Sequence, residues 1–271
     1  MTVLNALLVR GADLVLTPLA ALPSPLGIAL AALVTALVIL GLVRVTSDQA
    51  ALAAVKRQIQ ADLFEMRLFN DDLRGLLRAQ GAVLAHNGRY LRLSLLPLVF
   101  TTVPLALGLA QLQAWYGYSG LAPDAPVLVS ADLTPGVEPT GPRLEGDGVR
   151  VDGEAMYFPS LRQLVWRVVP TASGAHQVVV QVNGVRYEKS LVVATGLARR
   201  SPVRPPATLV DQLLEPSEPP MPPGGPLTAI HVPYPERSIA VFGVAMHWLV
   251  LYLVASFAFV LLLRKPLGVV I

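Results

Sequence analysis

The feature that most constrains this chain is an uninterrupted apolar run from Leu26 to Val43, in which Thr35 is the only polar side chain. At 1.5 Å per residue, a helix of this length nearly crosses a hydrocarbon core of about 30 Å. Leu93 to Ala114 and Ile239 to Leu263 are two further runs of this kind. Together with 54% hydrophobic and only 14% charged residues, they predict a membrane protein with three transmembrane helices.

The distribution of charge predicts the orientation of these helices. Between Arg44 and Arg92 there are eight basic and five acidic residues, whereas residues 115–237 carry ten basic and twelve acidic ones. Short cytoplasmic loops retain Lys and Arg, so the first segment is predicted to lie inside and the second outside. Arg264 and Lys265 follow the third run and place the C-terminus inside. The predicted topology is N-out and C-in, in a bacterial inner membrane with the second segment in the periplasm.

The inside segment has the pattern of two helices. Apolar residues recur at spacings of three and four from Leu52 to Met66, after possible N-caps at Thr46, Ser47 and Asp48. The polar turn Asn70 to Asp72 then separates this helix from a second one. We therefore predict an antiparallel helical hairpin, which either spaces two transmembrane helices or docks a partner through Lys56, Arg57, Arg67, Arg74 and Arg78.

The outside segment changes to short β-branched runs from Pro126 onward. Alternating patterns at 127–129, 149–151, 164–169, 177–182 and 185–193 predict strands. Asn183 and Gly184 predict a type I′ hairpin turn, because that turn needs positive φ at both positions. With Trp166 as a core anchor, we predict a small immunoglobulin-like β-sandwich.

Further along, eleven prolines between 199 and 237 predict an extended, semi-rigid tether with one short helix at 207–214. The N-terminal segment is interpreted as an amphipathic helix at the outer interface, with a frayed terminus as the alternative. The predicted organisation is an interfacial segment 1–24, a first span 25–45, a cytoplasmic hairpin 46–92, a second span 93–115, a β-sandwich 116–198, a tether 199–237, a third span 238–264 and a cytoplasmic tail 265–271.

Polar side chains inside the predicted spans are the candidate site. His247 is the unusual one, because an ionisable group at bilayer depth is costly and tends to face a bundle interior or a wet cavity. It is either a structural histidine bonded across a helix interface or part of a polar groove. The candidate groove residues are Thr35, Thr101, Thr102, Gln111, His247 and Ser256; each could instead form ordinary interhelical hydrogen bonds.

Several function classes are disfavoured by the composition. The chain has no cysteine and a net charge of +3, so neither a thiolate site nor a concentrated DNA-binding surface is expected. Catalytic serine or phosphate-loop motifs are not found, and the pair Asp71 and Asp72 is interpreted as a helix cap. We therefore predict a protein that is not an enzyme and has no cofactor or metal.

The hairpin sequence carries a resemblance. It runs from Ser47, Asp48 and Gln49 through Lys56 and Arg57 to Leu68, Phe69, Asn70, Asp71 and Asp72, and on to Leu77, Arg78, Ala79 and Gln80. With the topology, it resembles the core of the YidC/Oxa-type insertase superfamily, which includes archaeal YidC-like proteins and the third subunit of the ER membrane protein complex. The resemblance covers residues 26–115 and 239–264. Bacterial insertases place an arginine within the first span, whereas Arg44 here lies at its end.

Two functions follow as hypotheses. The resemblance implies a membrane-protein biogenesis factor, insertase or chaperone-like, whose hairpin contacts a client or a ribosome and whose groove lowers the cost of moving polar segments. The alternative is an accessory or scaffold subunit of a larger inner-membrane complex, with the β-domain contacting periplasmic partners. Either hypothesis makes other membrane proteins and the lipid bilayer the expected partners.

Overall fold

The structure is a computed structural model that describes residues 3–68, 73–194, 196–241 and 243–269. The helices are α1 (Val3–Leu19), α2 (Ser24–Thr46), α3 (Gln49–Leu68), α4 (Leu73–Tyr116), α5 (Leu209–Leu214) and α6 (Trp248–Arg264). The strands are β1 (Val127–Leu133), β2 (Arg143–Gly146), β3 (Val149–Val151), β4 (Met156–Phe158), β5 (Gln163–Pro170), β6 (Gly174–Val182), β7 (Val185–Val193), β8 (Val203–Arg204), β9 (Leu227–His231), β10 (Ser238–Val241) and β11 (Val244–His247). The chain therefore combines helices with antiparallel β-sheets.

The chain forms two compact units. The helical unit contains Ile28–Ala106 and Leu251–Ile271, and the β-unit contains Met1–Gly27 and Leu107–Val250. Among the described residues, two helices are long and apolar enough to cross a membrane, Ser24–Thr46 and Gln80–Tyr116. The apolar helix α6 is shorter, at 17 residues.

Helix α2 shows how the helical unit buries one side of an apolar helix. Ile28, Ala32, Ala36 and Leu40 recur every four residues and are completely buried. Small side chains at such positions allow helix backbones to approach closely. Other apolar residues of α2 remain exposed, namely Leu26, Leu30, Val34, Leu37 and Val38.

The helical hairpin is present, with α3 and the first half of α4 as its arms. The carboxylate Oδ1 of Asp48 accepts a hydrogen bond from the backbone N–H of Ala51 at 2.9 Å, as an N-cap does. Asp62 and His86 join the two arms at 2.5 Å, and their positions on either side of the turn require antiparallel helices. The predicted turn at Asn70 to Asp72 lies outside the described residues.

Helix α4 is one continuous helix of 44 residues, so the second hairpin arm and the second predicted span are not separate elements. Pro97 and Pro104 lie inside it. A proline removes one backbone donor and usually kinks a helix, yet α4 continues through both positions. The predicted boundary at residue 93 is a change in hydropathy within a single helix.

The predicted start of the third span at residue 238 is wrong. Ser238–Val241 and Val244–His247 form an antiparallel two-stranded hairpin in which Ser238 pairs with His247. Gly243 in the turn has φ of 82°, which an L-residue rarely adopts. An apolar run does not by itself distinguish strand from helix, so hydropathy alone placed the helix start about ten residues too early.

The β-domain consists of two sheets that share one core. The larger sheet has the strand order β3-β5-β1-β9-β8 with β4 also paired to β5, and the smaller has the order β2-β6-β7. Trp166 of the larger sheet and Tyr187 of the smaller sheet are each 1% exposed and belong to the same hydrophobic core. The predicted strands at β1, β3, β5, β6 and β7 are thus found, and Trp166 is a core anchor as expected.

The turn between β6 and β7 has the predicted geometry. Asn183 has φ of 52° and Gly184 has φ of 77°, which are the positive values that a type I′ turn requires. The strands it joins pair along their whole length, from Gly174 with Val193 to Val182 with Val185. This hairpin forms most of the smaller sheet.

The prediction of a proline-rich tether at 199–237 is wrong. This segment contributes β9, which pairs with β1 inside the larger sheet, and five buried core residues. These core residues are Met221, Leu227, Ile230, Val232 and Tyr234. The β-domain therefore extends well beyond the predicted boundary at 198. Prolines here separate short strands and a helix. The predicted short helix is present as α5.

Because residues of the proline-rich segment belong to the core, a core substitution there should destabilise the β-domain. Val232 is 1% exposed and Val210 is 64% exposed. Val232→Ala should lower the free energy of unfolding by about 2 kcal/mol, because it removes buried methyl groups and leaves a cavity. Val210→Ala is the matched control and should change it by less than about 0.5 kcal/mol.

Guanidinium unfolding of the full chain in detergent, followed by tryptophan fluorescence, measures both variants. Equal stability of the two variants would show that residues 199–237 do not belong to the folded core.

Candidate functional site

Three members of the predicted groove satisfy their hydrogen bonds on their own helix. The hydroxyl of Thr35 donates to the carbonyl of Ala31 at 2.9 Å, and that of Thr101 donates to Pro97 at 2.9 Å. Thr102 donates to Leu98 at 2.8 Å. Bonds of this kind to the residue four positions earlier hide the polarity of a threonine within an apolar helix. These side chains therefore need no polar groove.

The other groove candidates are divided between the two units. Ser256 belongs to the helical unit with the three threonines, whereas Gln111 and His247 belong to the β-unit. Gln111 accepts a hydrogen bond from Arg199 at 3.1 Å. Neither unit contains all six residues, and the groove stays a prediction.

The interpretation of His247 as a side chain inside a helical span is wrong. His247 ends strand β11 and precedes α6. Its Nδ1 accepts a hydrogen bond from the backbone N–H of Leu249 at 3.2 Å, and its ring lies 5.9 Å from that of Trp248. Accepting from the second following residue is a helix N-cap interaction, and this gives the histidine a structural role.

The candidate hairpin contacts are partly described. Lys56, Arg57 and Arg78 have exposed side chains. The side chains of Arg67 and Arg74 lie outside the described part of the chain. These three side chains are therefore accessible to a partner.

The most connected polar site in the β-unit was not predicted. The guanidinium of Arg199 donates twice to Oδ1 of Asp13 on α1, at 3.0 and 2.7 Å, and once to Gln111 near the end of α4. Its Cζ also lies 6.0 Å from the ring centroid of Trp115. Charge-assisted bonds and a cation–π contact thus join α1, α4 and the β-domain at one side chain.

The neighbouring residue Arg200 is 1% exposed and holds carbonyl groups together. Its guanidinium donates to the carbonyls of Tyr118 at 2.9 Å and Gly196 at 2.8 Å, and its backbone N–H donates to Ala114 at 2.8 Å. The last carbonyls of a helix lack partners within the helix, so Arg200 supplies one to the end of α4. Burial lowers the pKa of Arg200.

A third arginine completes this junction. The backbone N–H of Arg237 donates to the carbonyl of Gly117 at 2.9 Å, and its guanidinium donates to the hydroxyl of Ser24 at 3.0 Å. Trp248 donates through Nε1 to Gln113 at 2.8 Å. We call Arg199, Arg200 and Arg237 with Asp13, Gln111 and Gln113 the arginine junction. It lies beside the aromatic residues Trp115, Tyr116 and Tyr118.

A buried ion pair lies inside the β-domain. Nζ of Lys189 donates to Glu218 Oε2 at 2.9 Å and to the carbonyl of Ser201 at 2.6 Å. The other carboxylate oxygen of Glu218 accepts from the backbone N–H of Ser190 at 2.6 Å. Burial lowers the pKa of Lys189, while the charge of Glu218 opposes this. Strand β7 is thereby joined to the proline-rich segment.

A histidine–aspartate pair lies on the larger sheet. His231 Nε2 and Asp132 Oδ2 are 2.9 Å apart, and Gln163 donates to the other oxygen of Asp132 at 2.9 Å. The hydrogen bond with His231 lowers the pKa of Asp132. The two residues belong to adjacent strands β1 and β9, so the pair adds a side-chain link across the sheet. Its known contacts are those of a structural pair.

A cleft of about 400 Å³ opens beside strands β2 and β3. Trp166 lines its inner end, and Arg143, Glu145 and Glu154 supply its charges. A metal is not indicated, because the described residues contain no group of three His, Cys, Asp or Glu that could hold one. The strongest polar arrangements in the described chain thus join segments to one another.

Comparison of this chain with known protein families, curated proteins and solved structures finds no match.

Sequence reasoning missed the arginine junction because its members are far apart in the chain. Asp13 and Arg199 are separated by 186 positions. Two features of the sequence could have pointed to the junction. The first is the adjacent pair Arg199 and Arg200 after the last predicted strand, and the second is the single aspartate in the apolar N-terminal helix.

The ion pair yields a testable expectation. Lys189→Met should lower the free energy of unfolding by about 3–5 kcal/mol, because Glu218 is left as an uncompensated buried charge. Adding Glu218→Gln should recover at least half of that loss, because the neutral amide oxygen still accepts from Ser190. Thermal unfolding of the full chain in detergent provides the comparison. If the double variant is no more stable than the single one, the pair is not coupled.

Proposed function

We propose that this chain is an accessory subunit of a larger membrane complex, anchored by its apolar helices and contacting its partners through the β-domain. The observation that carries the membrane part is the exposure of apolar side chains on α2, α4 and α6. Soluble proteins rarely expose apolar surface of this extent. The exposed residues in the two later helices include Leu95, Leu98, Phe100 and Val103 of α4 and Leu253, Phe257 and Leu262 of α6.

The proposed topology has three spans with the N-terminus outside and the C-terminus inside, in a bacterial inner membrane. The basic hairpin formed by α3 and the first half of α4 supports it, since such segments stay in the cytoplasm. Helix α6 has 17 residues and is about 26 Å long, which is at the lower limit for a span. The β-domain, for which we propose an immunoglobulin-like arrangement of its two sheets, would then lie in the periplasm.

The scaffold role is supported by an apolar patch on the β-domain. Met156 and Phe158 alternate along strand β4, and Leu161 follows in the next turn. They are 61%, 39% and 67% exposed, respectively. Short edge strands usually carry charges that prevent association. An edge strand that presents a methionine and a phenylalanine is instead typical of a contact surface, in which such residues are enriched.

The arginine junction adds support of a different kind. A subunit that transmits or resists force between a helix and a soluble domain requires a stiff connection. The bonds of Arg199, Arg200 and Arg237 join the end of α4 to the β-domain by several short contacts. These contacts use buried or half-buried polar groups that a flexible tether would leave in water.

A second candidate function is that of an insertase-like biogenesis factor. It is favoured by the exposure of Lys56, Arg57 and Arg78 on the helical hairpin, which a ribosome or a client could contact. The threonines of the predicted groove donate to carbonyls of their own helices, and this weakens the case for the groove that such a factor would use. We therefore place it second.

Purification of the tagged full chain from native membranes in mild detergent tests the proposal. We expect a fixed set of membrane subunits at constant stoichiometry. Leu161→Asp should reduce their recovery about tenfold, because a charge in the centre of an apolar contact costs more than about 1.4 kcal/mol. Val185→Asp, at another exposed apolar position, is the matched control and should retain the subunits.

Two results would contradict the scaffold role. Recovery of ribosomes and many different clients, in place of a fixed set, would favour the biogenesis factor. Unchanged recovery with Leu161→Asp would show that the patch on β4 is not the contact.

A further inference from the structure

The β-domain is open on the side where β2 and β3 lie. Strand β2 is at one edge of the smaller sheet and β3 is at one edge of the larger sheet. Among the described residues, β2 pairs with β6 and β3 pairs with β5. The turn at Asp147 and Gly148 joins the two strands directly, so both edges lie on the same side of the domain. The cleft of about 400 Å³ lies beside them.

The chain covers the opposite edge of the smaller sheet. On β7, the backbone N–H of Ser190 donates to Glu218 at 2.6 Å, and that of Val192 donates to the hydroxyl of Tyr234 at 2.8 Å. The carbonyl of Val192 accepts from the backbone N–H of Leu121 at 3.1 Å. Within the described chain, β2 has no cover of this kind. Every second residue of an edge strand turns its N–H and C=O groups to the open side, so β2 offers backbone donors and acceptors there.

A buried donor at the cleft lacks a partner. Trp166 of β5 lines the cleft and is 1% exposed. Its indole N–H has no hydrogen-bond partner in the part of the chain that the structure describes. A buried tryptophan N–H usually finds an acceptor, because leaving such a donor unpaired is costly. The backbone carbonyl of a segment bound in the cleft is an acceptor of the kind that this donor lacks.

The charges around the cleft favour a basic segment. Arg143 and Glu145 of β2 are exposed on either side of the buried Leu144. Glu154 lines the cleft from the loop before β4. Charges on an edge strand discourage apolar association, but they pair with opposite charges on an incoming strand. Two carboxylates against one guanidinium make the lining of the cleft net negative.

We propose that the cleft binds an extended peptide segment of a partner protein, which adds a strand to the open edge of β2. Strand addition takes its affinity from main-chain hydrogen bonds and its specificity from side-chain contacts. A basic side chain of the segment pairs with Glu145 and Glu154, and one of its carbonyls accepts from the indole N–H of Trp166. The site goes beyond the proposed contact of β4, because the exposed apolar residues of that contact do not line the cleft.

Selection from a phage-displayed library of random dodecapeptides supplies the probe. The target is the purified full chain in detergent, and micelles without protein first remove the peptides that bind detergent. We expect the enriched peptides to carry lysine or arginine, and the most enriched one is then synthesised. Failure to enrich any peptide over the micelles overturns the proposal.

Charge reversal tests where this peptide binds. Glu145→Arg should raise its Kd at least about fivefold, because like charges then meet across the edge of β2. Glu188→Arg is the matched control, since Glu188 is an exposed acidic residue on the covered strand β7. It should change the Kd by less than about twofold. An equal effect of the two substitutions contradicts binding at β2.

Two methylated versions of the peptide test strand addition. N-methyl groups on alternate residues remove the backbone donors on one side of an extended strand and leave those on the other side. One version should therefore lose binding and the other should retain it, because only one side of the segment faces β2. Equal affinity of the two versions for the chain shows that the segment does not bind as a strand.

The indole N–H resonances report the missing acceptor. The chain has three tryptophans, so isotope labelling of tryptophan gives three indole signals in a nitrogen–proton correlation spectrum. The signal of Trp166 should move downfield when the peptide is added. That of Trp248 should stay, because its Nε1 already donates to Gln113 at 2.8 Å. A Trp166 signal that does not move shows that the peptide does not bind in the cleft.

Failure of this site and failure of the proposed function are distinguishable. The fixed set of subunits and its loss with Leu161→Asp are measured in native membranes without the peptide. If those results are as expected and the peptide results are not, the scaffold role stands and the cleft site is overturned.

Discussion

The guanidinium of Arg200 is the group on which the connection between helix and β-domain depends. It is almost completely buried, and its hydrogen bonds go to backbone carbonyls on both sides of the junction, those of Tyr118 and Gly196. Burying an arginine is costly unless its donors are satisfied. The last carbonyls of a helix have no partner within the helix, and the backbone N–H of Arg200 supplies one to Ala114. Arg200 thus serves the helix end through its backbone, while carbonyls just outside the helix hold its guanidinium.

Other parts of the β-unit follow from this connection. Residues 199–237 begin at the junction, and they return to it at Arg237 after contributing β9 to the larger sheet. The buried pair of Lys189 and Glu218 fixes this segment against β7 on the way. Tyr234 accepts from the backbone N–H of Val192 at 2.8 Å, and burial raises its pKa to about 12. The proline-rich segment is therefore held at several points, as the proposed scaffold role requires.

The sequence predicted those elements that depend on local patterns. Alternation located β5, β6 and β7, and the positive φ of Asn183 and Gly184 follows from residue types that tolerate it. Hydropathy located α2 and the apolar part of α4. It failed at residues 238–247, because a short apolar run can be a strand or a helix and hydropathy alone does not separate the two. The prolines suggested a tether, because composition alone does not reveal the strand that lies between them.

The candidate site was less predictable. A threonine within an apolar helix gives the same sequence signal whether it lines a groove or donates to a carbonyl of its own helix, as Thr101 does. The arginine junction depends on contacts between residues almost 200 positions apart, and the sequence supplies no register for them.

Hydrogen exchange of the backbone amides at the junction tests the central claim most directly. In the full chain in detergent, the amides of Arg200 and Arg237 donate to the carbonyls of Ala114 and Gly117. They should exchange as slowly as the amide of Val180 in the core hairpin, because all of them open only when the β-unit unfolds. The exposed turn at Gly224 gives the fast reference. Exchange of the two arginine amides at the rate of that turn would show that the β-domain is not fixed to the end of α4.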